Sequence, residues 1–158
     1  MTMQLTSKRD LYDQLASQLS SLLAGERDLI ANAANFAALI FHSLPDLNWA
    51  GFYFAKDGEL VLGPFQGKPA CIRIKIGQGV CGTAAAKCAT TIVPNVHEFP
   101  GHIACDNASN SEIVVPLLKG ERFIGVLDLD SPQLSRFDAE DAAGLEALVR
   151  ILLSSVSS

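Results

Sequence analysis

The chain has 158 residues, 49% of them hydrophobic and 18% charged, with a formal net charge of −5. That size and apolar content fit one folded domain spanning residues 1–158 and exclude a disordered chain. The sequence has no block of Lys or Arg, which excludes nucleic acid as a partner; the apolar run 29–41, broken by Asn32 and Asn35, is shorter than the ~20 residues a membrane span needs.

Residues 1–10 are polar and lack the apolar segment of a secretory signal, so the expected compartment is the cytoplasm. Thiols there are mostly reduced, and four cysteines then point to catalysis, redox work or burial before permanent cross-links. Apolar side chains at helical spacing predict a helix over 11–23, ended by Ala24-Gly25, and a second over about 27–44, closed by Pro45. From Asn48 the period changes to two, with Trp49, Gly51 and Tyr53 on one face and Ala50, Phe52 and Phe54 on the other.

The turn Lys56-Asp57-Gly58-Glu59 leads into a strand over 60–65, followed by a Gly/Pro-rich loop over 63–69 that delivers Cys71 to a short strand over 72–76. Gly77-Gln78-Gly79 opens an Ala-rich helix over 80–88, and 91–93 is a further short strand. The long polar stretch 94–111 has the length of a functional loop. Strands over 112–118 and 122–130 flank a turn at Lys119-Gly120-Glu121, and an amphipathic helix follows Phe137 with Asp138 at its N-cap and Asp141 three residues on. This order predicts an α+β domain: a central antiparallel sheet with the N- and C-terminal helices on one face and a ligand pocket on the other. The same terminal helices offer a surface for a homodimer.

Cys71, Cys81, Cys88 and Cys105 contain no C-x-x-C pair, so neither a zinc ribbon nor a thioredoxin-like motif is present. Cys88, at the end of the Ala-rich helix, reads as a small packing residue. Cys105 stands in the long loop and reads equally as an inert buried thiol or as a reactive one. Asp128 and Asp130 share one strand face, where they repel unless a cation or a shared proton intervenes; Glu112 on the partner strand can join them. The bland alternative is a solvated sheet face. Trp49 and Tyr53 read as a core pair or as a cradle for a sulfur-bearing methyl group, with Gly51 between them leaving room for a ligand. His97 and His102 can tune a nearby thiol or simply bond within the loop. No metal-ligand set is evident, and Gly77-Gln78-Gly79 lacks the residues of a phosphate-binding loop.

Six segments together resemble the free methionine-(R)-sulfoxide reductases, which are GAF-domain enzymes. They are Asn48-Trp49-Ala50-Gly51-Phe52-Tyr53, the run from Gly63 to Cys71, Gly79-Val80-Cys81-Gly82-Thr83-Ala84, Gly101-His102-Ile103-Ala104-Cys105-Asp106, Ser109-Asn110-Ser111-Glu112 and Asp128-Leu129-Asp130-Ser131. The resemblance implies that Cys105 is the catalytic cysteine, that Cys71 resolves its oxidised form as a disulfide, and that Cys81 is a third family cysteine and alternative resolver. It implies that Trp49 and Tyr53 cradle the substrate methyl and that Glu112, Asp128 and Asp130 contact the substrate. Asn95 stands where the family carries an aspartate before the Val-His of the long loop, which removes one negative charge from the substrate site. The chemistry implied is thiolate attack on the sulfoxide sulfur with Glu112 or Asp130 as acid, then a sulfenic acid, a disulfide, and recycling by thioredoxin without metal or organic cofactor. The alternative is a GAF-type module that senses a small ligand without chemistry.

Overall fold

The computed structural model describes residues 7–102 and 108–157. Helix α1 (Lys8–Leu23) starts at Ser7, whose hydroxyl accepts from the Asp10 N–H, and α2 (Leu29–Ser43) starts at Asp28, whose carboxylate accepts from the Ala31 N–H. Both helices begin where a side chain satisfies an orphan backbone donor, which displaces α1 to an earlier start, and α2 to a later one, than apolar spacing indicated. The strands are β1 (Trp49–Lys56), β2 (Glu59–Gly67), β3 (Arg73–Lys75), β4 (Thr91–Val93), β5 (Ser111–Lys119) and β6 (Arg122–Ser131). Helix α3 (Gly79–Lys87) stands between β3 and β4, a short 3₁₀ turn covers Val96–Glu98, and α4 (Ala139–Ser155) follows β6.

The six strands form one antiparallel sheet in the order β3-β2-β1-β6-β5-β4. One face carries Ala50, Phe52, Phe54, Ile113, Val115, Leu117, Leu127 and Leu129, buried against α1, α2 and α4. This is the expected α+β arrangement, and its alternation along β1, β5 and β6 leaves the opposite residues to the other face. Helix α3 packs on that second face with Val80, Cys81, Ala84 and Ala85 against Trp49, Tyr53, Val114 and Val126.

The expected loop at 63–69 begins later than its composition suggested, because β2 continues to Gly67. Gly63 and Pro64 fall where the register between β1 and β2 shifts, between the pairs Tyr53–Leu62 and Gly51–Phe65. A bulge tolerates both residue types, and β3 pairs only with Glu59–Val61, so Pro64 removes no bond to a second neighbour. At the other end of the domain, Asp138 closes a capping box with Asp141, and Asp141 also accepts from the Tyr12 hydroxyl at 2.8 Å and Lys8 Nζ at 2.6 Å. That network ties the start of α4 to α1. No helix among the described residues is long and apolar enough to cross a membrane.

Candidate active site

Register brings the three carboxylates together. Trp49 pairs with Asp130, which in turn pairs with Glu112 on β5; Gly51 pairs with Asp128, which pairs with Val114. Trp49, Asp128, Asp130 and Glu112 therefore stand on one sheet face, in adjacent rows, with α3 over them. All three acidic residues are buried, so the alternative of a solvated face does not hold. A cleft between the sheet and α3 is lined by Trp49, Tyr53, Cys81, Glu112, Asp128 and Asp130, and also by Gln78, His102 and Ser109.

The aromatic pair is fixed at its polar ends. Trp49 Nε1 donates to the Lys68 carbonyl at 3.1 Å and the Tyr53 hydroxyl donates to the Cys71 carbonyl at 2.8 Å. Their rings are stacked with centroids 6.0 Å apart, and Phe65 stacks on the other side of Trp49 at 5.3 Å. This corrects the reading of Gly51 as a space for a ligand. A Cβ at Gly51 would stand 2.3 Å from Phe65 Cβ and 2.8 Å from the Trp49 ring, so the missing side chain admits Phe65 to the stack. Gly51→Ala is accordingly expected to cost about 1–3 kcal/mol, the usual range for overpacking, measured by urea unfolding; a variant as stable as the parent would contradict the packing argument.

Electrostatics in the cleft are those of crowded acids. Burial, then the neighbouring Asp130 and Glu112, holds the Asp128 carboxyl well above its ordinary range. Burial first, then Asp128 and Glu112, pushes up the Cys81 thiol, whose sulfur stands 3.9 Å from Glu112 Oε2. Tyr53 is pushed up as well, by burial and then by Asp128. Oδ1 of Asp128 has no hydrogen-bond partner among the described residues.

The cysteines divide into three environments. Cys71 is half-buried at the cleft rim, beside the lining residues Pro69 and Ala70, and is bonded in a disulfide. Cys81 is a buried free thiol. Cys88 is free and exposed, at the C-cap of α3 with φ 50°, which corrects its reading as a packing residue: a left-handed cap turns the side chain out of the helix's buried face. Cys105 lies outside the described residues.

Asn95 is not among the residues that line the cleft. Its side-chain oxygen accepts from the His97 N–H at 3.0 Å and caps the 3₁₀ turn, which engages the group expected to meet substrate. His97 Nε2 bonds Asn110 Oδ1 at 2.8 Å, so of the two loop histidines only His102 reaches the cleft. Sequence reasoning missed Gln78 and Ser109. Gln78 stands at the α3 N-cap, in the turn that opens the helix; Ser109 is buried and accepts from the Asn48 side-chain amide at 3.0 Å. Neither position carries a periodic signal, because both sit at junctions between elements.

A family model described as the GAF domain matches residues 8–154. The chain is 52% identical to the free methionine-R-sulfoxide reductase of Escherichia coli, an alignment that covers 90% of this chain and 87% of that protein. It is 42% identical to the protein of the same name from Saccharomyces cerevisiae, over 92% of this chain and 86% of that protein. Among solved structures, the free methionine-R-sulfoxide reductase of Neisseria meningitidis in complex with its substrate superposes with a TM-score of 0.91 at 45% identity, covering 98% of this chain and 93% of that one.

Proposed function

This chain belongs to the GAF-domain free methionine-R-sulfoxide reductases, and from that membership we propose that it reduces free methionine-(R)-sulfoxide to methionine by cysteine chemistry. The observation that carries the proposal is one cleft in which three buried carboxylates face an indole and a phenol ring, with the disulfide-bonded Cys71 at its rim. The substrate has parts to match. Its methyl group and sulfur suit the ring faces of Trp49 and Tyr53, and its ammonium suits the acidic cluster. The N–H groups of the first turn of α3, from Gly79 onward, suit its carboxylate.

A sulfoxide sulfur becomes electrophilic when its oxygen gains a proton. In the proposed reaction the Cys105 thiolate attacks that sulfur, a carboxylic acid supplies the proton to oxygen, and the oxygen passes to Cys105 as a sulfenic acid while methionine departs. Asp128 joins Glu112 and Asp130, the candidates named from the sequence, as a source of that proton, because burial among its neighbours favours its protonated form. Cys71 then condenses with the sulfenic acid, releasing water and forming a disulfide. A dithiol protein of the thioredoxin type returns both sulfurs to thiols by exchange. Cys71 suits the resolving role better than Cys81, since a thiol pushed up by burial among acids yields little thiolate.

Incubation with dithiothreitol and racemic free methionine sulfoxide tests the activity. The R epimer alone should disappear, and a peptide-internal methionine sulfoxide should persist. Tight binding with no consumption of either epimer would identify a sensor module and end the proposal.

A further inference from the structure

We propose that the floor of this cleft binds one divalent cation of the zinc class through Cys81 Sγ and the carboxylates of Glu112 and Asp128, and that the cation competes with substrate. The binding claim stands on the cluster itself; only the competition rests on the cleft being the substrate site. One ligand atom from each of the three residues lies within 4.8 Å of the other two, and the Cys81 sulfur is 3.9 Å from Glu112 Oε2. Tetrahedral zinc, with bonds of ~2.3 Å to sulfur and ~2.0–2.2 Å to oxygen, sets sulfur and oxygen ligands about 3.5 Å apart. Closing the cluster onto a metal therefore requires only small side-chain adjustments.

Independent support comes from Asp128. The residue is 6% exposed, and its Oδ1 has no partner among the described residues, although it lines the cleft. A buried carboxylate oxygen without a donor is costly, and a metal ion satisfies it together with the charge repulsion of its neighbours. The three ligands come from α3, β5 and β6, elements held by the sheet and its packing, so the donor set is largely preformed. Cys81, Glu112 and Asp128 all line the cleft, so a fourth ligand can reach the ion from it. Three protein ligands with one open position is the arrangement that accepts an exchangeable fourth ligand. The thiolate selects zinc or cobalt over magnesium and calcium, which prefer all-oxygen shells. Metal binding displaces the thiol proton, so it does not require a thiolate to exist beforehand.

Cobalt(II) titration of the protein with the Cys71 disulfide intact tests the site, because Cys81 and Cys88 are then free thiols. One equivalent should bind with a sulfur-to-cobalt charge-transfer band and the visible bands of a tetrahedral ion; zinc should bleach both, and magnesium should not. Loss of even an outer hydrogen-bond partner of a metal ligand costs about 10–100-fold in affinity, so removal of the direct ligand in Cys81→Ser should abolish the band and weaken binding by at least ~100-fold. Asp128→Asn should weaken binding while keeping the sulfur band, and Cys88→Ser should change neither. A wild-type protein without the band, a band that survives Cys81→Ser, or one lost in Cys88→Ser would each overturn the site. Free methionine-(R)-sulfoxide should weaken cobalt binding; two ligands that bind independently would overturn the competition. Reductase turnover without cobalt binding sinks this inference alone, whereas cobalt binding without turnover sinks only the functional reading.

Discussion

Replacing Cys105 by serine is expected to abolish methionine release even in a single turnover with the reduced protein, whereas Cys71→Ser releases one equivalent and then stops when thioredoxin is the reductant. In the proposed cycle the two sulfurs do different work. The nucleophile is needed for oxygen transfer itself, and removal of a nucleophile commonly lowers turnover by of the order of 10⁴–10⁶-fold. The resolving thiol is needed only to convert the sulfenic acid into a form that dithiol exchange can reduce. Dithiothreitol, which attacks a sulfenic acid directly, should therefore rescue Cys71→Ser but not Cys105→Ser. Cys81→Ser should retain recycling, in keeping with the buried, acid-flanked position that pushes its thiol up. Equal single-turnover yields from the Cys105 and Cys71 variants would refute the division of roles.

Asp128→Asn is expected to make the protein more stable and less active at neutral pH. Burial, with Asp130 and Glu112 nearby, raises the carboxyl above its ordinary range in the folded state. The folded protein therefore holds a proton at this site that the unfolded chain releases above about pH 3.9. Its contribution to stability is fully present below that unfolded value and is lost as pH rises through the folded one. Asparagine cannot ionise, so urea unfolding of the variant should lose part of that slope and gain ~1–2 kcal/mol at pH 7–8, the scale on which replacement of buried charges stabilises proteins. Turnover should fall, since the amide cannot donate a carboxyl proton to the sulfoxide oxygen; a loss of about 1–3 kcal/mol in transition-state binding corresponds to ~10–100-fold in kcat/KM. A variant that is less stable with an unchanged pH slope would place Asp128 among ordinary ion-paired carboxylates and contradict the argument.

The parts of this site that a reader of the sequence can find are those governed by a simple period. Alternation in β1 places Trp49 and Tyr53 on one face, and alternation in β6 does the same for Asp128 and Asp130; the hairpin to β5 then carries Glu112 alongside. Whether that face is wet or buried depends on α3, which crosses it from a distant part of the chain, and the strand pattern alone gives no sign of it. Gly51 shows the same limit. A glycine between two aromatics leaves a gap in one strand, but the neighbouring strand fills it with Phe65. Composition misled at Gly63 and Pro64, where a bulge carries residues that usually end a strand. Asn95 has a local partner that its chain position does not announce. Its position in the chain fits a ligand contact, yet the local backbone offers its oxygen an N–H two residues away, and short polar side chains take such partners readily.

The bond from Trp49 to the Lys68 carbonyl has a practical consequence, because this is the only tryptophan in the chain. Its indole leans on the segment that carries Cys71, whose own carbonyl is held by Tyr53. If Cys71 cycles between disulfide and thiol as proposed, a rearrangement of that segment should reach the sole strong fluorophore, and its emission is expected to report turnover without an added label.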